Sequence, residues 1–264
     1  MQFTDQLQRT IQLPEAPVRI VSLVPSQTEL LFDLELSDDV VGITQFCIHP
    51  DEWYRKKTRV GGTKQLKMEV IESLQPDLII ANKEENDKVQ LELLMERWPV
   101  WVSDIKNLPA ALSMIDSVGN ITGKVSRAAE LCDKITTEFE KLSFSIENEK
   151  AKSALYLIWN DPMMCAGSDT FINDMMQHCG LHNVLSNELR YPVLTIEKLK
   201  ALHPEYILLS SEPFPFKEKH REQFQLLFPD TKVILADGEY FSWYGSRLAL
   251  APSYFKSFLL TIKS

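Results

Sequence analysis

A sulfur and an imidazole two residues apart, in Cys47-Ile48-His49, are the first groups in this chain whose types and spacing suggest chemistry. They offer soft and intermediate ligands to a metal, either as a direct axial contact to a metal chelate or as a free metal site. Two ligands do not complete a cage, and a Cys and a His in a loop serve equally as structural residues. His178-Cys179-Gly180-Leu181-His182 spaces two imidazoles at i, i+4, but Gly180 reads as the residue that closes a helix and takes them off a common face. Gly119-Asn120-Ile121-Thr122-Gly123-Lys124-Val125 imitates a phosphate loop, with three residues between its glycines where four are needed and Val125 where Ser or Thr would meet magnesium. There is no HExxH, no GxSxG and no GxGxxG. The chain therefore reads as a binder without a reaction or a prosthetic group of its own.

What the loops offer instead is flat apolar surface. Phe46, Trp159, Tyr191 and Trp243 follow expected strands and would let a planar macrocycle or aromatic chelate stack at small ordering cost. Tyr240, Phe241 and Tyr244 share the last of those loops, where packing explains an aromatic equally well. Ser26, in Pro25-Ser26-Gln27, belongs to the first such loop, or else caps the helix that follows, a role Thr28 would also fill.

The elements that must position these residues are legible from periodicity. RIVSLV at 19–24, VVGIT at 40–44, DLIIA at 77–81 and VWVSD at 100–104 are apolar, β-branched runs expected of strands buried on both faces of a parallel sheet. Helical segments alternate with them, one at 87–97. From Val125 to Ile146 the apolar positions advance by threes and fours without Gly or Pro, predicting one rigid helix of roughly 33 Å at 1.5 Å per residue. SALYLIW at 153–159, EYILLS at 205–210 and KVILAD at 232–237 then resume the strands, FINDMMQHC predicts a helix closed by Gly180, and 247–263 reads as a terminal helix. The expectation is an α/β protein of two lobes, each a mainly parallel sheet flanked by helices. Residues 1–107 form the first lobe, 108–149 a linking segment containing the long inter-lobe helix, and 150–264 the second lobe.

A repeat supports the duplication. MEVIESLQPDLIIANKEEN at 68–86 returns as IEKLKALHPEYILLSSE at 196–212, and a shift of 128 superposes Glu69 on Glu197, Leu74 on Leu202, Pro76 on Pro204, Ile79 on Ile207 and Glu84 on Glu212. In each copy a proline ends a helix and is expected to push its predecessor into extended geometry before the strand.

Composition narrows the partners. Of the 264 residues 44% are apolar and 25% charged, as in ordinary globular proteins, and the net charge of −9 leaves no basic footprint for nucleic acid or an anionic membrane. The four cysteines, Cys47, Cys132, Cys165 and Cys179, contain no CxxC and read as free thiols. No basic stretch followed by an apolar core opens the chain, and no run approaches the roughly 18 apolar residues of a membrane span. As written the sequence carries no export signal, so the protein is cytoplasmic if Met1 is the natural start; a chain trimmed of its leader would read identically.

The segments FTDQLQRTIQLPEAPVRIVSLVPSQTELLFDL, VVGIT, TRVGGTKQLKMEVIESLQPDLIIA and YPVLTIEKLKALHPEYILLSS resemble the substrate-binding proteins of ABC importers for cobalamin and ferric siderophores, the cobalamin branch most nearly. The resemblance spans nearly the whole chain in order. It implies two lobes joined by one long helix and a ligand held in the cleft between them, here a cobalt corrinoid or a ferric chelate. It also implies a monomer, exported to the periplasm or cell surface, that delivers this ligand to a membrane permease. Glu69 and Glu197 match the acidic residues that pair with permease arginines, though a carboxylate in a helix's first turn is also favoured by the helix dipole. Arg247 matches an arginine near the cleft, suited to amide, carboxylate or phosphate groups of a ligand.

Departures from the family leave the ligand open: Thr63 and Asn82 stand where cobalamin binders carry further aromatics. Some exported relatives join the cysteine matching Cys179 to the last helix, where this chain has Lys256. A cytoplasmic corrinoid- or metal-handling protein, enzyme or chaperone, and a ligand sensor remain alternatives on the same fold.

Overall fold

The computed structural model describes residues 1–263, the side chain of Lys263 excepted. They divide into two compact units: Met1–Ile105 with Pro109–Lys134 and Tyr244–Arg247, and Lys106–Leu108 with Ile135–Trp243 and the described residues from Leu248 onward.

In the first unit a hairpin, β1 (Gln2–Thr4) and β2 (Thr10–Gln12), precedes β3 (Ile20–Ser22), α1 (Pro25–Asp33), β4 (Val40–Ile43), α2 (Asp51–Lys56), β5 (Thr58–Arg59), α3 (Met68–Leu74), β6 (Leu78–Asn82), α4 (Lys88–Met95) and β7 (Val100–Ser103). The chain continues through α5 (Leu108–Ile121) and α6 (Val125–Ile146), and the division between units falls inside α6, after Lys134. The span of α6 is the one its periodicity predicts, and its buried residues Ala128, Ile135, Phe139 and Leu142 lie along one stripe.

The second unit contains β8 (Lys152–Trp159), β9 (Met164–Cys165), α7 (Phe171–His178), β10 (Leu181–Asn183), α8 (Ile196–Ala201), β11 (Tyr206–Ser210), α9 (Glu218–Leu227), β12 (Lys232–Ala236), α10 (Gly238–Ser242) and α11 (Ala251–Lys263). The predicted terminal helix is interrupted: Ser246–Ala249 is a short 3-10 turn and α11 starts only at Ala251, with Pro252 in its first turn, where its missing N–H is harmless.

The strand orders are β5-β4-β3-β6-β7 and β10-β8-β11-β12, with every neighbour in these paths parallel and β9 added antiparallel to β8. The two sheets thus share one plan. β6 lies between β3 and β7 as β11 lies between β8 and β12, and these are the strands carried by the sequence repeat. Both faces are covered. In the second unit Leu155, Leu157, Ile207, Leu209 and Val233 pack against Leu199, Phe216, Phe224 and Phe228. Tyr156, with the opposite side-chain parity, meets Phe241 at 5.1 Å between ring centroids. In the first unit Val21, Leu23, Ile79, Ala81, Val100 and Val102 pack with Ile71, Leu91 and Leu94.

Two local expectations are corrected. The residues before the repeated prolines, Gln75 and His203, are left-handed, at φ 45° and 46°, rather than extended. The clash with the proline ring excludes the right-handed helical region but not this one, and a left-handed residue ends a helix more sharply than an extended one. Neither Ser26 nor Thr28 caps α1. The helix starts a residue earlier, at Pro25, whose fixed φ suits the first helical position, after Val24 without a side-chain cap. Gly180 does close α7 at φ 73°, its N–H donating to the carbonyl of Gln177.

Candidate functional site

Ligands of open α/β sheets meet the carboxyl ends of the strands, and each unit presents its own set of groups there. In the first unit, the turn after β6 is organised by Asn82. Its backbone N–H donates to Asn86 Oδ1 at 2.8 Å, its Oδ1 accepts from the N–H groups of Glu84 and Glu85, and its Nδ2 donates to Ser103 Oγ at 3.0 Å. Gln27 Nε2 donates to the same Ser103 hydroxyl at 2.6 Å. Asn86 in turn donates to the carbonyls of Leu23 and Thr63. This buried amide network explains the small polar residue at 82: an aromatic there would leave the turn's N–H groups unpaired, at about 1–3 kcal/mol each, whereas Thr63 contributes its main-chain carbonyl, which any residue supplies.

The segment Tyr244–Arg247 completes this surface. The Arg247 guanidinium grips both carboxylate oxygens of Glu29, Nε at 2.9 Å and Nη2 at 2.6 Å, in the bidentate geometry that orients arginine most firmly. Tyr244 donates its hydroxyl to Glu85, and burial, with that carboxylate beside it, pushes its ionisation well above the ordinary tyrosine value. At Gly245 a Cβ would stand 2.3 Å from the carbonyl oxygen of Ser26, so only glycine lets the two segments approach this closely.

In the second unit, Trp159 is the last residue of β8 rather than a loop residue; its indole donates to the carbonyl of Asp161 at 2.9 Å and meets Phe214 edge-on at 5.6 Å. Glu212, after β11, accepts from Trp243 Nε1 at 2.8 Å and from the Ser242 hydroxyl. At its repeat partner Glu84 the main-chain carbonyl accepts from Lys64.

The expected site residues divide by accessibility. Phe46 is 53% and Trp159 39% exposed, and half-buried Tyr191 has Arg190 over its ring at 5.6 Å. Ser26, Cys47 and Trp243 are buried, Trp243 to 5%, which withdraws them from the surface a ligand would meet. The Cys47 sulfur lies 3.1 Å from the hydroxyls of both Thr28 and Thr44, and burial pushes the thiol up, away from the thiolate that binds metal. His49 is half-buried, and among the described residues no three His, Cys, Asp or Glu side chains are grouped to hold a metal ion. His178 ends α7 while His182 lies in β10. All four cysteines are free.

Glu69 and Glu197 are both exposed at the second position of a helix, α3 and α8 respectively. A hydrogen bond from its own backbone N–H, with another from the Thr195 hydroxyl, holds the Glu197 carboxyl below its usual range. It is thus charged at neutral pH and serves the local cap while still facing outward. Sequence reasoning gave no role to Glu29 or Glu85 and met Glu212 only as a repeat position, because their partners lie far away in the chain.

Burial raises the Glu212 carboxyl above the ordinary glutamate value, only partly offset by the Ser242 and Trp243 hydrogen bonds. A carboxyl raised on folding stabilises fully below its unfolded pKa of about 4.3, and this contribution is lost as pH rises through the folded value. Glu212→Gln, which still accepts from Trp243, is therefore expected to gain stability relative to the parent as pH climbs from about 4 to 7. Thermal melts of both across that range check it; parallel curves would refute the assignment.

The comparisons with known proteins agree with this architecture. The sequence profile of the family described as "Periplasmic binding protein" matches residues 20–227. An uncharacterized ABC transporter substrate-binding lipoprotein, YvrC, of Bacillus subtilis is 25% identical over 213 residues, covering 77% of this chain and 67% of that protein. A vitamin B12-binding protein of Pectobacterium atrosepticum is 26% identical over 262 residues, covering 94% and 90%. Among solved structures, the periplasmic vitamin B12 binding protein BtuF of Vibrio cholerae superposes with a TM-score of 0.79 at 19% identity, covering 94% of this chain and 98% of that one. The molybdate periplasmic binding protein MolA of Haemophilus influenzae gives 0.82 at 16%, covering 99% and 91%. With the duplicated parallel sheets, the long helix at 125–146 and a profile match across most of its length, this chain belongs to the periplasmic binding protein family.

Proposed function

We propose that this protein is the substrate-binding component of an ABC importer, and that its cargo is a metal chelate, a corrinoid or an iron chelate, held without chemical change. The observation that carries the cargo class is the exposed pair Phe46 and Trp159, aromatic faces left in water where strands end. Tyr191 and Arg247 are the other proposed contacts, the aromatic for stacking and the arginine, steadied by Glu29, for carboxylate or amide groups at a cargo's edge. Asn82 in place of an aromatic keeps iron chelates in the set beside corrinoids. Cys47, being buried and protonated, is assigned to packing rather than to metal.

Export and a monomeric state belong to the same proposal; among the described residues no helix is long and apolar enough to cross a membrane. A permease is the partner, with Glu69 and Glu197 as its contact points. Relatives named as binding proteins rather than enzymes support the absence of a reaction.

The test is a titration of the purified protein with cobalamin, haem, a ferric siderophore and molybdate, followed by absorbance and heat. One chelate is expected to bind, and Trp159→Ala to weaken it by about 0.5–1.5 kcal/mol of lost stacking. If none binds more tightly than about 100 μM, near −5.5 kcal/mol, the cargo assignment fails.

A further inference from the structure

The exposed ring of Trp159 is backed, through one phenylalanine, by a histidine. Trp159 meets Phe214 edge-on at 5.6 Å, and Phe214 meets the His220 imidazole at 5.3 Å and Phe216 at 4.7 Å. Phe216 also touches the imidazole, at 5.6 Å and 87°, and is itself buried in the core of the second unit. Phe214 and His220 are half-buried, so the pair forms the step between that core and the indole. Edge-on contacts of this kind fix the tilt of a ring as well as its place.

The imidazole is tied to the start of α9. Lys217 precedes the helix and His220 is its third residue, and the Lys217 backbone N–H donates to His220 Nδ1 at 2.9 Å. In the reciprocal cap common at helix starts this place is filled by glutamine or glutamate, and a glutamine oxygen accepts the same N–H at every pH. An imidazole accepts only while Nδ1 is unprotonated, which puts the proton of the neutral ring on Nε2. Once Nδ1 is protonated two donors face each other at hydrogen-bond distance, and the ring must turn away from Phe214 and Phe216.

The neighbouring charges favour the neutral ring. Partial burial, then the charges of Lys219 and Lys217, hold the His220 imidazole below the ordinary histidine value, and a helix N-terminus disfavours a cation as well. Glu218 on the same helix is bonded to Arg221, Glu212 in the preceding loop accepts from Trp243 and Ser242, and Asp161, past the end of β8, accepts from the Trp159 indole through its carbonyl. Phe214, Phe216 and Trp159 carry no charge. A histidine lowered on folding contributes fully above its unfolded value of about 6.5, and the contribution is lost as pH falls through the folded value.

We propose that His220 is a positioning residue for the Trp159 face: its neutral imidazole props Phe214 behind the indole, and protonation withdraws the prop, so the face is assembled at neutral pH and loosened in acid. Its consequence for cargo rests on the reading of Trp159 as a cargo contact.

The test labels the protein with 5-fluorotryptophan, identifies the Trp159 fluorine resonance by its absence in Trp159→Phe, and follows it without cargo from about pH 8 to about pH 5, beside the His220 ring protons. The Trp159 resonance is expected to move with the midpoint of His220. His220→Gln, which still accepts from Lys217, is expected to keep it near its neutral position throughout, and His220→Ala near its acid position. A resonance that stays in place while His220 titrates, that moves equally in His220→Gln, or that is neutral-like in His220→Ala overturns the proposal. Affinities of the same proteins for cobalamin and haem test the consequence. The chelate that the parent binds is expected to be held about two- to tenfold more weakly in acid and by His220→Ala, the worth of one aromatic contact, with no such change across pH in His220→Gln. A resonance that follows His220 while affinity does not leaves the positioning role standing and removes Trp159 from the cargo site.

Discussion

Reversing charge at both carboxylates, Glu69→Arg with Glu197→Arg, is expected to abolish importer-dependent uptake while leaving chelate affinity within about twofold. Both side chains are exposed and near the start of a helix that runs into a central strand, in positions related by the repeat. Placing like charges against a basic socket costs several kcal/mol, and every 1.4 kcal/mol is a factor of ten in association. The same substitutions put cations at helix N-termini, costing roughly 0.3–1 kcal/mol each in stability. Glu69→Gln with Glu197→Gln removes attraction without adding repulsion, and is expected to fall between parent and reversal. Transport of labelled chelate by cells carrying each variant, alongside calorimetry on the purified proteins, measures both arms. Undiminished uptake in the reversed protein would reduce the two carboxylates to helix caps, a role Glu197 already fills locally through its bonds to Thr195 and its own backbone.

Phe241→Ala is expected to cost about 3–5 kcal/mol of unfolding free energy, the usual range for deleting a buried aromatic ring. The ring is fully buried in α10, with Phe255 at 4.8 Å, Tyr156 at 5.1 Å and Phe258 at 6.0 Å between centroids. It therefore ties the final helix to the back of the second sheet. Against a typical total of about 5–15 kcal/mol this loss is a large fraction of stability. Phe241→Leu fills part of the cavity and is expected to recover more than half of it. Urea unfolding followed by circular dichroism gives the difference; a loss under about 1 kcal/mol for the alanine variant would mean that the surrounding rings collapse into the space.

Much of the architecture is legible in local pattern. RIVSLV, DLIIA and EYILLS are mostly apolar because their strands are covered on both faces; β3 and β11 lie inside the first and last, and β6 runs one residue past DLIIA, to Asn82. Val125–Ile146 is recoverable to its ends because 22 residues keep one stripe with no helix breaker. Among the elements missed, α5 (Leu108–Ile121) keeps a helical stripe in Ala111, Met114, Ile115, Val118 and Ile121, while the others named here lack a period of their own. β5 and β9 have two residues each, and exist through pairing with β4 and β8. The hairpin β1-β2 and the helix α9 carry mixed polar sequences whose apolar members are few.

The candidate site shows the same division. Residue type and position near expected strand ends nominate Phe46, Trp159, Tyr191 and Trp243, whereas Arg247 and the choice of Glu69 and Glu197 from the repeat's matched positions come from the family resemblance. Which of these face water is a different matter. Trp243 is held by Glu212, 31 residues before it, and Arg247 by Glu29, 218 residues before it. Cys47 is enclosed by Thr28 and Thr44, and an amide at Asn82 is explained only by the N–H groups that fold around it. The amino-acid sequence by itself determined two parallel sheets, the long helix and the repeated carboxylates, because periodicity and repetition are properties of neighbours along a chain. Tertiary structure alone decided which aromatics remain exposed and which acids become hydrogen-bond acceptors, because burial and pairing depend on groups that only folding brings together.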